Sequence, residues 1–501
     1  MPGSCTLEER DDNFMRNREF KLEVKRNDPI LVCPAEATEK KVYFLSNLDQ
    51  LLALPMDNVF FFHSRKDKSK KAADDPVAVI KESLRKLLVL YYPLAGRLSL
   101  SEDLKLQVEC EGQGAVFVEA VADCSIAELG ALDKPVHFMA QLLYNPPNST
   151  RSILDVPPIC VQVTRFKCGG FSFGLVFNRC MVDLITESQL LSAWSELARG
   201  SLDVSHLTPH LDRTVLNPRS PPRIEFPHLE MSCDVDEESA VSSPLDEEKE
   251  EEYHPNNSSS SSSSKNSFFG SFSLSPEKVE SLKRQTLNEG LFTKVTAFEV
   301  LAALTWRART QALNMPPTQV ARLLFAVNVR DKLDPPLPKR FMGNGILFAH
   351  AAATAAELAT SSLAQTVKLV QDAKAMITDR YVRSAIDFFE VTRAQMIGRA
   401  TLFVSSWVGI PIHLVDFGWG QPMCALPGTM LPEDAILAPS TCFSNLEAPD
   451  SSLKLFIALH SQEAVDRFGH CLSSNSSSIA STHNSCVVND FKKNHNLIEL
   501  I

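Results

Sequence analysis

Residues 203–267 divide the chain into two apolar halves of similar size, and this break limits the fold more than any other feature. Prolines recur at 209, 218, 221, 222 and 227, an acidic block runs from Asp234 to Glu252, and serines fill Ser258–Ser264. Such a segment buries too little apolar surface to offset the entropy of ordering it. It reads as an exposed crossover and plain spacer. With 501 residues and a hydrophobic fraction of 44%, the flanking halves have material for two cores. The expected organisation is a loose polar lead over 1–20, an N-terminal domain over 21–202, the crossover over 203–267, a C-terminal domain over 268–470, and a disordered Ser/Asn-rich tail over 471–501.

Several function classes are excluded at this level. A formal charge of −11 makes a poor non-specific nucleic-acid binder. The 12 cysteines are scattered singly, with no CxxC pair and no His/Cys cluster at zinc-ligand spacing. They read as reduced thiols, and no metal is expected. The charged N-terminus has no apolar core of a secretory signal, and no run of apolar residues is long enough to span a membrane. These features predict a cytoplasmic enzyme or binding protein.

Periodicity places strands and helices in alternation. Strands are expected over Phe20–Val32, Val59–Phe62, Ile159–Phe166, Val320–Asn328, Arg399–Trp407 and Leu453–Leu459. Leu104–Cys110 and Ala115–Ala120 read as a hairpin turning at Gly112 and Gly114. Helices are expected over Pro76–Val89, from Ser275-Pro276-Glu277, over Thr293–Asn314, Ala351–Met376 and Ser461–Phe468. One stretch, Gly169–Trp194, joins an apolar strand (Phe171–Phe177) to an amphipathic helix through a polar turn at Asn178–Asp183. A strand that feeds a helix through such a turn is a common place to present a reactive side chain.

Seven segments, in order, carry a resemblance to one family: LSNLDQ (45–50), YYPLAGRL (91–98), NRCMVD (178–183), AFEVLAALTWRAR (297–309), NVRDKL (328–333), MGNG (342–345) and DFGWG (416–420). Together they resemble the plant BAHD acyl-CoA-dependent acyltransferases, and family-like segments run from about Lys21 to Phe468. The resemblance implies an α/β architecture: two similar-sized mixed α/β domains of the chloramphenicol-acetyltransferase-like type, joined by a long crossover, with a channel between them. It implies acyl-CoA as co-substrate, a small hydroxylated acceptor and no other cofactor, in a monomer. The branch most resembled transfers hydroxycinnamoyl groups to long-chain alcohols and ω-hydroxy fatty acids, as in suberin and cutin.

By the same resemblance, Asp183 pairs with Arg330, and Asp416, Gly418, Trp419 and Gly420 are structural, with Asp416 ion-paired. Ser405 and Trp407 match a pair that lies beside the acyl group and donates to the thioester oxyanion. His413 matches a histidine common in hydroxycinnamoyl-transferring members, and the reading preferred here is a strand histidine with a satisfied hydrogen bond. Asp49 is either functional or a helix-capping residue. Two positions depart from the family here: Arg179 stands where it has the catalytic histidine, and Leu184 replaces the usual Gly after the Asp. A guanidinium carries no acceptor lone pair and stays charged, so Arg179 is no general base. Two main readings follow. The chain is a transferase whose base is supplied otherwise or whose Arg179 reflects a sequence variant, or it is a catalytically impaired relative that binds acyl-CoA or a partner enzyme.

Overall fold

The computed structural model describes residues 22–65, 75–132, 137–146, 154, 157–201, 203–231, 268–394, 401–428, 441–444 and 452–474. The first half runs β1 (Val24–Arg26), β2 (Ile30–Val32), β3 (Lys41–Phe44), α1 (Asn47–Gln50), β4 (Pro55–Phe62), α2 (Pro76–Leu90), β5 (Arg97–Leu100), β6 (Leu106–Cys110), β7 (Ala115–Ala122), β8 (Ile159–Arg165), β9 (Phe171–Asn178) and α3 (Leu184–Ala198). The second runs β10 (Phe268–Leu274), α4 (Pro276–Asn288), α5 (Ala297–Ala312), β11 (Val320–Asn328), β12 (Ile346–Thr354), α6 (Ala355–Thr360), α7 (Leu363–Met376), α8 (Asp379–Thr392), β13 (Thr401–Ser406), β14 (Cys424–Pro427), β15 (Thr441–Ser444), β16 (Leu453–Leu459) and α9 (Gln462–Ser474).

Two large sheets result. The first has the order β1-β7-β8-β9-β4-β14, with β2 also on β7, and the second has the order β10-β16-β15-β13-β11-β12. Every residue of β9 is buried, which accounts for its unbroken apolar run. Trp194 of α3 packs edge-on against Phe173 at 5.3 Å and donates its indole N–H to Ser83 Oγ of α2 at 2.9 Å. Helix and sheet are thereby fixed together, and the turn between β9 and α3 has rigid elements on both sides.

On the second sheet, α5 is almost wholly buried and begins with a reciprocal cap. Thr296 Oγ1 accepts from the Glu299 amide, and Glu299 Oε2 accepts from the Thr296 amide at 3.0 Å. Glu299 also faces Lys374 at 3.5 Å. Replacing Thr296 with Ala is expected to cost about 1 kcal/mol of stability. Urea denaturation would show this as a lower midpoint with an unchanged slope.

Four readings from the sequence are corrected, and two elements, α8 and β14, went unread. The Leu104–Cys110/Ala115–Ala120 hairpin does not form: β6 pairs with β3 and β5 in a small third sheet, while β7 joins the first. Gly112 and Gly114, at φ +70° and +95°, turn the chain from one sheet to the other. Of the expected strand Phe20–Val32, the described residues form two short strands on β7, β1 and β2, separated by residues 27–29, and Phe20 and Lys21 lie outside the described residues. Residues Ala351–Ala353 are strand, because β12 pairs with β11 along nine residues and overrides alanine's helix preference. Helix α8 went unread, although its amphipathic pattern is clear. The last helix continues to Ser474, past the expected start of the tail. Finally, β14 leaves the second half and pairs with β4 of the first sheet, carrying Ile412, Val415 and Phe417 into the first core.

The crossover is also more ordered than its composition predicts over 203–231, while the acidic and serine blocks lie outside the described residues. Leu207, Leu216 and Met231 are buried there. Polar pins hold the rest to α8. His228 contacts Glu230 Oε1 (3.0 Å) and Ser384 Oγ (2.7 Å), Tyr381 donates to Glu230 Oε2 (2.7 Å), and Arg219 Nε donates to Asp387 Oδ2 (2.6 Å). Ser384, His228 and Glu230 have a hydrolase-like order but are fully buried, and Ser384 Oγ already accepts from the Glu225 amide at 2.8 Å. They anchor the crossover.

Candidate active site

The turn between β9 and α3 is held from four sides. The Arg179 amide donates to the Leu54 carbonyl at 2.8 Å, and the Arg179 carbonyl accepts from Asn344 Nδ2 at 2.8 Å. Arg213 Nη2 donates to the Met181 carbonyl at 3.1 Å. Asp183 is the N-cap of α3, where Oδ1 accepts from the Thr186 amide at 2.9 Å. Arg330 closes a two-pronged pair on the same carboxylate, Nη1 to Oδ2 at 2.7 Å and Nη2 to Oδ1 at 2.9 Å. The Gly345 amide adds a bond to Oδ2 at 3.0 Å. A Cβ at Gly345 would lie 2.7 Å from Arg330 Cζ, so this close passage requires glycine.

Asp49 belongs to the same frame. It completes the capping box of α1, accepts from the Asn344 amide and Nδ2 at 2.9 Å each, and faces Arg213 Nε at 3.0 Å. Of its two readings, the structure supports the capping one. Its carboxylate links α1, the crossover and the loop that carries Asn344.

Above the turn lies a cleft between the two halves, with about 620 Å³ of empty space when the part open to solvent is included. Arg179, Asp183, Leu184 and Ile185 form one wall. Phe325 and Val327 of β11, Ile346, and Val404 to Ser406 of β13 form the other, with Phe298 and Lys374. Ser405 lines the same cavity as Arg179. Trp407 is buried in the first core and is not among the residues lining the cavity. His413 lies on a one-turn helix, Pro411–Leu414, rather than a strand, and is likewise absent from the lining; burial lowers its pKa.

The electrostatics of the site follow from burial. Burial alone would raise the Asp183 pKa, but the Arg330 charge and the bonds from Arg330, Thr186 and Gly345 outweigh it and hold the carboxyl below its usual range. Burial lowers the Arg179 pKa, opposed by Asp183 and Glu187. The remaining group is Glu187, one turn beyond Asp183 on α3, which the sequence reading passed over. It is fully buried, accepts from Asn58 Nδ2 at 2.6 Å, and is pushed up to about 8 by burial, against the pull of Asn58 and Arg179. Its i, i+4 spacing from Asp183 was a readable signal that both share one helix face.

The DFGWG segment sits away from the cavity. Asp416 is not ion-paired among the described residues. Its Oδ1 accepts from the amides of Gly418 (2.7 Å) and Gly420 (2.9 Å), and Arg199 bonds its backbone carbonyl at 2.6 Å. Both glycines have positive φ, which fits the tight turn. Trp419 packs edge-on to Phe171 at 5.4 Å, under the Arg65 guanidinium at 4.5 Å. Among the described residues there is no metal-ligating cluster, cysteines such as Cys110, Cys160 and Cys180 are free thiols, and no helix is long and apolar enough to cross a membrane.

Two sheets with a cavity between them, walled by the β9–α3 turn, form an architecture shared with solved structures. Vinorine synthase superposes with a TM-score of 0.65 at 20% identity, covering 88% of this chain and 96% of that one. TRI101 of F. sporotrichioides, complexed with coenzyme A and T-2, superposes at 0.64 and 16% identity, covering 86% and 97%. The model of the Transferase family matches residues 20–468. Two Arabidopsis thaliana proteins are each 40% identical to this chain. Fatty alcohol:caffeoyl-CoA acyltransferase aligns over 448 residues, 87% of this chain and 98% of that one, and omega-hydroxypalmitate O-feruloyl transferase over 430 residues, 85% and 88%. The chain belongs to the Transferase family, the BAHD acyltransferases.

Proposed function

We propose that this chain moves an acyl group from CoA to a hydroxyl acceptor, with a hydroxycinnamoyl donor such as feruloyl-CoA and an ω-hydroxy fatty acid or fatty alcohol as acceptor. The observation that carries this reading is the 40% identity to two transferases named for that chemistry, along nearly their whole lengths. The acceptor oxygen attacks the thioester carbonyl, the C–S bond breaks, and the acceptor proton ends on the released CoA thiol. Ser405, on the cavity wall, is the candidate hydroxyl donor to the developing oxyanion.

A specific observation favours a second reading, an acyl-CoA-binding or accessory role. No histidine lines the cavity among the described residues, its one carboxylate is locked to Arg330, and Arg179 accepts no proton. The two readings separate in one assay. The purified protein is given feruloyl-CoA with 16-hydroxypalmitate or hexadecanol, beside a no-acceptor control, and free CoA is followed. Acceptor-dependent CoA release is the expected result. A rise in melting temperature with feruloyl-CoA and no release would instead establish the binding role.

A further inference from the structure

The Arg179 guanidinium is a buried cation without a matching acceptor. The residue is 7% exposed and lines the cavity. Its Nε has no hydrogen-bond partner, and the contact of Nη1 is Met56 Sδ at 3.6 Å. The nearby acids do not supply the missing partner. Asp183 is committed to Arg330 and to the amides of Thr186 and Gly345. Glu187 is bonded to Asn58, and with its pKa near 8 it is mostly neutral at neutral pH. Lys374, the other cation on the wall, already faces Glu299 at 3.5 Å. A buried charge left unpaired is costly, and its usual resolution is a counter-ion.

A second feature meets Arg179 at the same end. Leu184 and Ile185, the first turn of the fifteen-residue helix α3, also line the cavity. The Thr186 amide is capped by Asp183, the amides of Leu184 and Ile185 before it have no intrahelical acceptor, and the helix dipole favours an anion there. Beyond this polar end, Phe325, Ile346 and Val404 make an apolar wall. A cation, a helix N-terminus and an apolar slot together match an amphipathic anion.

We propose that this end of the cavity is a carboxylate site, in which Arg179 and the first turn of α3 hold the head of a free acid whose apolar body lies along Phe325, Ile346 and Val404. The site shares its cavity with the transfer reaction but does not require turnover, so it is tested without CoA.

The test is calorimetric titration of the full chain with two acids and their neutral counterparts: ferulate against coniferyl alcohol, and octanoate against 1-octanol. The aromatic and aliphatic arms distinguish the two sources of such a carboxylate. The expected result is that at least one acid binds about tenfold or more tighter than its alcohol. Arg179→Gln should abolish that preference while leaving the alcohol's affinity within about threefold. Arg179→Lys, which keeps the charge without the fork, should retain part of the preference, and this separates lost recognition from a misfolded variant. Equal binding of acid and alcohol to the native chain overturns the proposal, as does a preference that survives Arg179→Gln. Neither outcome bears on CoA release, so failure here and failure of the transferase reading are distinguishable.

Discussion

Replacing Arg179 with His is expected to raise turnover of feruloyl-CoA with a hydroxyl acceptor by roughly 10²–10⁴-fold, the usual contribution of a positioned general base. The backbone at this position is fixed independently of its side chain, through the Leu54 carbonyl and Asn344 Nδ2. An imidazole placed there would leave the same Cα, in the cavity that Asp183 and Ser405 also line. It is smaller than the side chain it replaces, so overpacking is not a concern. Neutral imidazole accepts a proton near physiological pH, which guanidinium does not.

The gain should fall on kcat, because proton removal is a transition-state interaction, with little change in KM for the donor. The variant's rate should also acquire an acidic limb with a midpoint in the histidine range. Steady-state CoA release across pH 5 to 8 checks both. A native enzyme as fast as the variant would show that the base lies elsewhere and that Arg179 is no obstacle.

The legible part of this site was the part encoded by local contrast. The run Phe171–Phe177, the polar turn and the helical spacing from Leu184 announced β9 and α3, and the structure places both within a residue or two. The Asp183–Arg330 pair spans 147 positions and came from motif resemblance alone, since no local pattern links them. What stayed hidden depends on partners distant in sequence. Glu187 looks like a surface residue of an amphipathic helix until Asn58 of β4 and the burial of the site are known. The strand β14 is too short to announce its crossing to β4. Residues 203–231 have a linker's composition, yet a few buried pairs such as His228–Ser384 and Arg219–Asp387 hold them down. Averaging over a window erases contacts of that kind.

Arg330→Ala should destabilise the protein by about 3–5 kcal/mol at neutral pH, the usual cost of removing one partner from a buried ion pair. Arg330 makes both bonds to Asp183 and also reaches Thr186 Oγ1 (3.2 Å) and the Gly343 carbonyl (3.2 Å). Its loss leaves Asp183, 1% exposed, with two amide bonds and without its ion-pair partner. The pH dependence has a definite sign. In the native protein the Asp183 pKa is depressed, so its contribution is complete above the unfolded carboxyl value and is lost only as pH falls through the lower folded one. In the variant, burial without Arg330 raises the folded pKa above the unfolded value, so the penalty is largest at neutral pH and fades as the carboxyl takes up a proton. Urea unfolding of both proteins from pH 7 toward pH 4 should therefore show a stability gap that narrows on acidification. A gap that stays constant would mean that Arg330 acts through packing at Gly345 rather than through the Asp183 charge. Activity should fall with stability, because Arg330 holds the residue that starts α3 and is not among those lining the cavity.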